Sequence, residues 1–245
     1  MNITKPILKS GAFLGICLLA VSSAVRAQSV IDVKVGTTTN NGGTNGVYQE
    51  SGQAVLGTST DYWNEFPYVS TTPYDVALVD NSDASTGVQV TINHSSGIGA
   101  KTTTSGINPY FLFNQEPYMN AGGVFTITLS DLIPNDAYIF VGYASRTSSS
   151  AGATWAVTDG TLISGTTSNG SSMDITAGNG SAYSEFQVRA DGSGSLTITD
   201  TGSPTNGITV LSGFQIEQAV PEPATYALFG LGALALGIVY RRRAS

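Results

Sequence analysis

Apolar and polar residues alternate with a period of two in short runs along most of this chain, and no long stretch between residues 28 and 219 repeats at the helical period. Successive strand residues point to opposite faces, so the pattern demands half-buried sheets. Ile31-Asp32-Val33-Lys34-Val35 alternates cleanly. Residues 76–79 and 88–92 flank a linker of Asp, Asn, Ser and Gly, which predicts a hairpin. Residues 123–129 put Phe125, Ile127 and Leu129 on one face, with Thr126 and Thr128 on the other. Ile133-Pro134-Asn135-Asp136 predicts a turn into a strand at 138–143. Residues 154–157, 185–188, 196–198 and 208–216 predict further strands. The expectation is an all-β fold, a two-sheet antiparallel sandwich over 28–219. Its core should include Phe125, Ile127, Tyr138, Phe140, Phe186, Val188, Leu196, Ile198, Phe214 and Ile216.

Both ends differ from this body. Residues 1–27 have the layout of a secretory signal peptide: Lys5 and Lys9, an apolar stretch at 11–21, then Val25-Arg26-Ala27. Signal peptidase is expected to cut after Ala27. Cys17 is the single cysteine, so the mature chain has no thiol for disulfides, nucleophilic catalysis or thiolate metal sites. At the other end, 220–245 reads Pro221-Glu222-Pro223, an apolar run of 17 residues at 224–240, then Arg241, Arg242 and Arg243. As a helix the run would be about 25 Å long, near the lower limit for a bilayer span. Snorkelling arginines make up the shortfall, and the positive-inside rule keeps them cytoplasmic. Two prolines hold the backbone extended just outside the membrane.

This tail resembles the PEP-CTERM sorting domain of Gram-negative bacterial surface proteins, in the tripeptide, the apolar run and the arginine cluster alike. The resemblance implies recognition by an exosortase, a membrane-embedded cysteine protease, in systems that accompany exopolysaccharide production. It implies transient inner-membrane anchoring by the C-terminal helix, then delivery to the cell surface or the medium. It covers the tail alone and transfers no activity to the body.

Residues 28–219 carry four Lys or Arg against sixteen Asp or Glu, a formal charge of −12. Nucleic acid is thereby excluded as an expected partner, since phosphate binding needs a basic surface. Several phrases resemble jelly-roll domains of carbohydrate-binding, galactose-binding-like modules. They are Gly57-Thr58-Ser59-Thr60-Asp61-Tyr62-Trp63-Asn64, the run from Phe125 to Leu132 continuing to Asn135-Asp136-Ala137-Tyr138, the run from Ala190 to Ile198, and Leu211-Ser212-Gly213-Phe214-Gln215-Ile216.

Tyr62, Trp63 and Asn64 form the candidate ligand site. An aromatic face can stack on a pyranose while amides and acids bind its hydroxyls; the competing reading is that Trp63 and Phe66 plug the core. A second aromatic group, Tyr110, Phe111, Phe113 and Tyr118, has the same two readings. Asp80, Asn81 and Asp83 have oxygen donors suited to calcium, yet Asp and Asn are also the ordinary residues of turns, as at Asp191. His94 is the sole histidine and stands in no triad motif. Sixteen acids allow many carboxylate pairs, but no context singles one out. The expected protein is therefore non-catalytic, needs no cofactor, and contacts exopolysaccharide if it binds a ligand at all.

Overall fold

The computed structural model describes residues 29–36, 46–49, 55–67, 75–102, 110–113, 115–120, 122–146, 151–202 and 207–219. The signal segment with Ala27, and the tail with Pro221, Glu222, Pro223, Arg241, Arg242 and Arg243, lie outside them. Among the described residues no helix is long and apolar enough to cross a membrane.

Two large sheets face each other. Sheet A contains β1 (Val30–Gly36), β2 (Gly46–Gln49), β3 (Tyr62–Pro67), β9 (Ala137–Tyr143), β11 (Thr161–Gly165), β13 (Ser184–Arg189) and β16 (Gly213–Gln218). Its spatial order is β11-β13-β9-β16-β1-β3-β2. Sheet B contains β4 (Asp75–Val79), β5 (Ser85–His94), β8 (Phe125–Ser130), β10 (Ala153–Asp159), β12 (Ser168–Asn169) and β14 (Leu196–Asp200), ordered β12-β10-β14-β8-β5-β4. A small sheet C joins β6 (Gly99–Thr102), β7 (Gln115–Met119) and β15 (Thr209–Val210). The one short α-helix among the described residues is α1 (Tyr110–Phe113).

The chain crosses between the large sheets repeatedly: β8 to β9, β9 to β10, β13 to β14 and β14 to β16. Two of these crossovers zip together, with Leu132 donating to Gly194, Asn135 to Asp191, and Ala190 to Asp136 through backbone hydrogen bonds of 3.0 Å. Gly194 has no substitute here. Its φ is +81°, and a Cβ would sit 2.2 Å from the Leu132 carbonyl oxygen.

The alternation seen in the sequence becomes burial. Phe125, Ile127 and Leu129 are buried while Thr126, Thr128 and Ser130 are half-exposed. All ten expected core residues belong to one buried cluster fed by both sheets. Phe140 is its centre, stacked on Phe214 at 5.4 Å, tilted on Phe186 at 5.2 Å, and edge-on to Trp155 of sheet B at 5.7 Å. Gly142 lies beneath Trp155; a Cβ there would approach the indole to 2.5 Å.

Two expectations need correction. The run 208–216 is two strands in different sheets: β15 pairs with β7, and β16 pairs with β1 and β9. Between them Ser212 donates to the Tyr143 carbonyl and accepts from the Val35 amide, both at 2.8 Å, so the chain changes sheets without losing hydrogen bonds. The sandwich is also not purely antiparallel, because β3 runs parallel to β1. Every other strand pair among the described residues is antiparallel.

Replacing Phe140 with alanine is expected to cost about 3–5 kcal/mol, the range for an aromatic lost from a tight core. Ile163→Ala, on the exposed edge strand β11, should change stability by about 0.5 kcal/mol or less. Urea unfolding followed by tryptophan fluorescence measures both; equal effects would contradict the packing described.

Candidate functional site

The residues singled out as a ligand site are part of the framework. On β3 the alternation turns Trp63 and Glu65 to the outer face of sheet A and Asn64 and Phe66 inward. Trp63 is 1 % exposed and packs in a second buried cluster with Leu112, Phe113, Val141, Tyr143, Met173 and Ile175. A pyranose has no open indole face to stack on, so the plug reading of Trp63 replaces the stacking one. Phe113 is buried in the same cluster. Asn64 is saturated: its Nδ2 donates to the carbonyls of Asp32 and Val79, each at 2.9 Å, and its Oδ1 accepts from the Val79 amide at 3.0 Å. Tyr62 is half-buried beside them.

A polar seam runs along the same outer face. Gln215 donates to Asp32 Oδ1 at 2.5 Å and to the Leu56 carbonyl at 2.9 Å. Its Oε1 accepts from the Leu56 amide at 3.0 Å, the Val55 amide at 3.2 Å and the Tyr143 hydroxyl at 2.5 Å. One glutamine thus fastens the 55–56 segment over the sheet. Lys34 and Glu65, register partners on β1 and β3, form a buried ion pair at 3.2 Å. Burial pushes the Asp32 carboxyl up to about 7; the Gln215 bond opposes this, and the charges of Asp61, Asp80 and Glu217 reinforce it. Sequence reading found none of this, because Asp32 and Lys34 look like the solvent side of an amphipathic strand.

The open site lies where the sandwich ends. A cleft of about 370 Å³ is lined from sheet A by Ser29, Ile31, Tyr138, Ile216 and Gln218. From sheet B and its turns come Asp80, Ser85, Thr86, Val88, Asp131, Leu132 and Ile133. One wall is therefore mostly apolar, and the other carries two carboxylates and two hydroxyls. The volume is at the lower end of the range for small-ligand sites. The rim is set by built turns. Asp80 Oδ1 accepts from the Ser82 amide at 2.9 Å, the Ser82 hydroxyl at 2.7 Å and the Ala84 amide at 3.0 Å. Tyr138 Oη accepts from the Ile133 amide at 2.8 Å, and Gln218 donates to Asp136. Asp83, Asp131 and Asn135, the non-glycine residues of positive φ among the described residues, all lie in the two turns that border this cleft.

Asp80 thus spends one oxygen on its own turn, and no group of three or more His, Cys, Asp or Glu set to hold a metal occurs among the described residues. Asp191 likewise organises a turn through the amides of Ser193 and Ser195, at 2.8 and 2.7 Å. His94 Nδ1 lies 2.5 Å from the Ser96 carbonyl oxygen.

Residues 219–243 match the family model of the PEP-CTERM protein-sorting motif. The tail carries that motif. No curated protein matches the chain. Among solved structures, it is similar to the enzymatically active domain of bacteriophage CBA120 tailspike protein 4, at 13 % identity and a TM-score of 0.28. That likeness covers 53 % of this chain and 19 % of the tailspike chain.

Two buried acids give the fold a pH dependence. Asp200, at the inner end of β14, accepts from Gly202 at 2.8 Å and Thr154 at 3.3 Å, and its Oδ2 has no hydrogen-bond partner among the described residues. Burial pushes it up to about 8, against those two bonds. Folded Asp32 and Asp200 keep protons that the unfolded chain releases near pH 4, so stability should fall as pH rises from about 4 to 8. Each unit separating folded from unfolded values is worth about 1.4 kcal/mol. Asp200→Asn should flatten that fall in urea titrations; an unchanged slope would mean that Asp200 is ionised in the fold.

Proposed function

We propose that this chain is an exported protein, sorted through its C-terminal motif to the cell surface or exopolysaccharide matrix, that binds glycan without catalysis. We also assign the domain to the jelly rolls. Strands β1, β16, β9 and β13 lie side by side opposite β8, β14, β10 and β12, with the first and last strands adjacent. That winding agrees with the two interlocked Greek keys of that architecture.

The observation that carries the binding reading is the two-sided cleft. A pyranose has an apolar C–H face and an equatorial belt of hydroxyls. Ile133, the exposed apolar residue of the lining, suits the first; Asp80, Ser85, Thr86 and Asp131 suit the second. The sorting motif supports the setting, since a surface-sorted domain would meet polysaccharides outside the cell. The tail acts through exosortase: an extended Pro221-Glu222-Pro223 for the protease, then 224–240 as the membrane helix and Arg241 to Arg243 as its cytoplasmic stop.

Affinity electrophoresis of the protein in gels containing the host's own exopolysaccharide tests the cleft. Retardation is expected for the wild type and for Trp63→Phe, and should disappear when Ser85→Trp fills the cleft without loss of fold. Retention in Ser85→Trp would remove the cleft from the function, and reducing-sugar release from the polymer would make the protein an enzyme. Replacing Pro221, Glu222 and Pro223 with alanine should leave export intact and stop trimming of the tail. An identical mature C-terminus by mass spectrometry in mutant and wild type would refute the exosortase assignment.

A further inference from the structure

We propose that the cleft selects glycans carrying free amino groups, hexosamines whose nitrogen is not acylated, over neutral and uronic-acid glycans; this rests on the glycan-binding reading above. The lining contributes two carboxylates, Asp80 and Asp131, and no lysine, arginine or histidine. Both belong to the sheet B wall, on either side of the stretch that holds Ser85 and Thr86.

Among the described residues, each keeps an oxygen for a ligand. All three hydrogen bonds to Asp80 end on Oδ1. The two bonds to Asp131, from Gln89 at 3.3 Å and Ser130 at 3.5 Å, end on Oδ2. Asp80 stays anionic: partial burial raises its pKa, but the bonds from Ser82 and Ala84 outweigh that and hold it below the usual carboxylate value. The neighbouring charges do not offset the pair. Asp136 is acidic and held by Gln218, while Arg189, the base bordering this end, donates to the Asn135 carbonyl at 2.7 Å and is not part of the lining.

The consequence for a ligand follows from sign. A uronate entering the cleft would bring a third negative charge beside two fixed ones, and like charges repel most where water is scarce. A neutral sugar gains hydroxyl hydrogen bonds only. An ammonium gains a charge-assisted bond, roughly twice as strong as a neutral one. The −12 formal charge of 28–219 adds a long-range attraction for polycations that is salt-sensitive and unspecific, so the test must separate the two.

Isothermal titration of the full chain in mild detergent, with trimers of glucosamine, N-acetylglucosamine and galacturonic acid, makes that separation. The glucosamine trimer should bind saturably and at least about tenfold more tightly than the acetylated one, a difference of about 1.4 kcal/mol. The galacturonate trimer should not bind. Asp131→Asn should erase most of the preference; asparagine tolerates the φ of +61° at that position, so the turn is kept. Glu185→Gln, on the outer face of sheet A, should change nothing. Equal binding of the two glucosamine forms, both lost in Ser85→Trp, would overturn the charge selectivity and leave the cleft as a glycan site. Equal weakening by Asp131→Asn and Glu185→Gln would reduce the effect to diffuse attraction and overturn it. Failure of all three trimers overturns it too. Persistent retardation by host polysaccharide that still depends on Ser85 would then leave the binding reading standing.

Discussion

The side-chain amide of Asn64 holds one edge of this sandwich shut. It stands on β3 in sheet A and bonds both to β1 of its own sheet and to Val79 of β4 in sheet B. Backbone bonds continue the seam, from Tyr62 to the Asn81 carbonyl at 3.2 Å and from Asn81 to the Val30 carbonyl at 2.8 Å. Many exported sandwiches cross-link their sheets with a disulfide, an option closed to a chain whose one cysteine is Cys17. Here a saturated amide does the joining. The parallel course of β3 beside β1 puts Asn64 where it can reach both sheets, so the departure from antiparallel pairing and the edge closure are one feature.

That closure positions the cleft. The first residues of β1, the last of β16 and the turn after β4 all meet at the end of the sandwich that the Asn64 and Asn81 bonds draw together. The opposite broad surface, the outer face of sheet A, is sealed by a different device. Gln215 uses both ends of its amide to hold the 55–56 segment down while also joining Asp32 and Tyr143, and Trp63 and Tyr143 fill the space beneath the covering loops. Such a layer is costly, since Asp32, Lys34 and Glu65 are all removed from water. What it returns is order: each buried polar group fixes one partner, where an apolar layer would tolerate many arrangements.

The strand pattern was legible because a half-buried strand advertises itself. Thr126 and Thr128 between Phe125, Ile127 and Leu129 allow one reading, and all ten residues read as core are core. The run 208–216 misled because alternation reports burial and not the sheet in which a strand lies; Ser212 and Gly213 carry the change of sheet and look like any strand polar residue and glycine. Trp63 kept two readings open for a related reason, and the plug reading is the one its burial supports. Polar neighbours such as Asp61, Asn64 and Glu65 signal an exposed aromatic only when the strand's far face meets solvent, and loops distant in sequence cover that face. Of the cleft only Asp80 had been singled out in the sequence as a candidate site residue, and as a turn or calcium residue. Ile31, Thr86, Asp131, Tyr138 and Ile216 share no motif, and their nearness exists only once six strands are in place.

Both ends of the described domain also emerge at the cleft. Ser29 and Gln218 line it, and the next residue, Ala219, is tied to the Ala137 carbonyl at 2.8 Å. From Gln218 to Ala224, where the apolar run of the sorting tail begins, even a fully extended chain reaches about 20 Å. While the tail is attached to a membrane, the cleft end of the domain is therefore held near that membrane. A protein whose ligand were met far from its anchor would gain from the reverse arrangement. With the acidic cleft beside the tether instead, any ligand that the cleft takes is met where the chain is held.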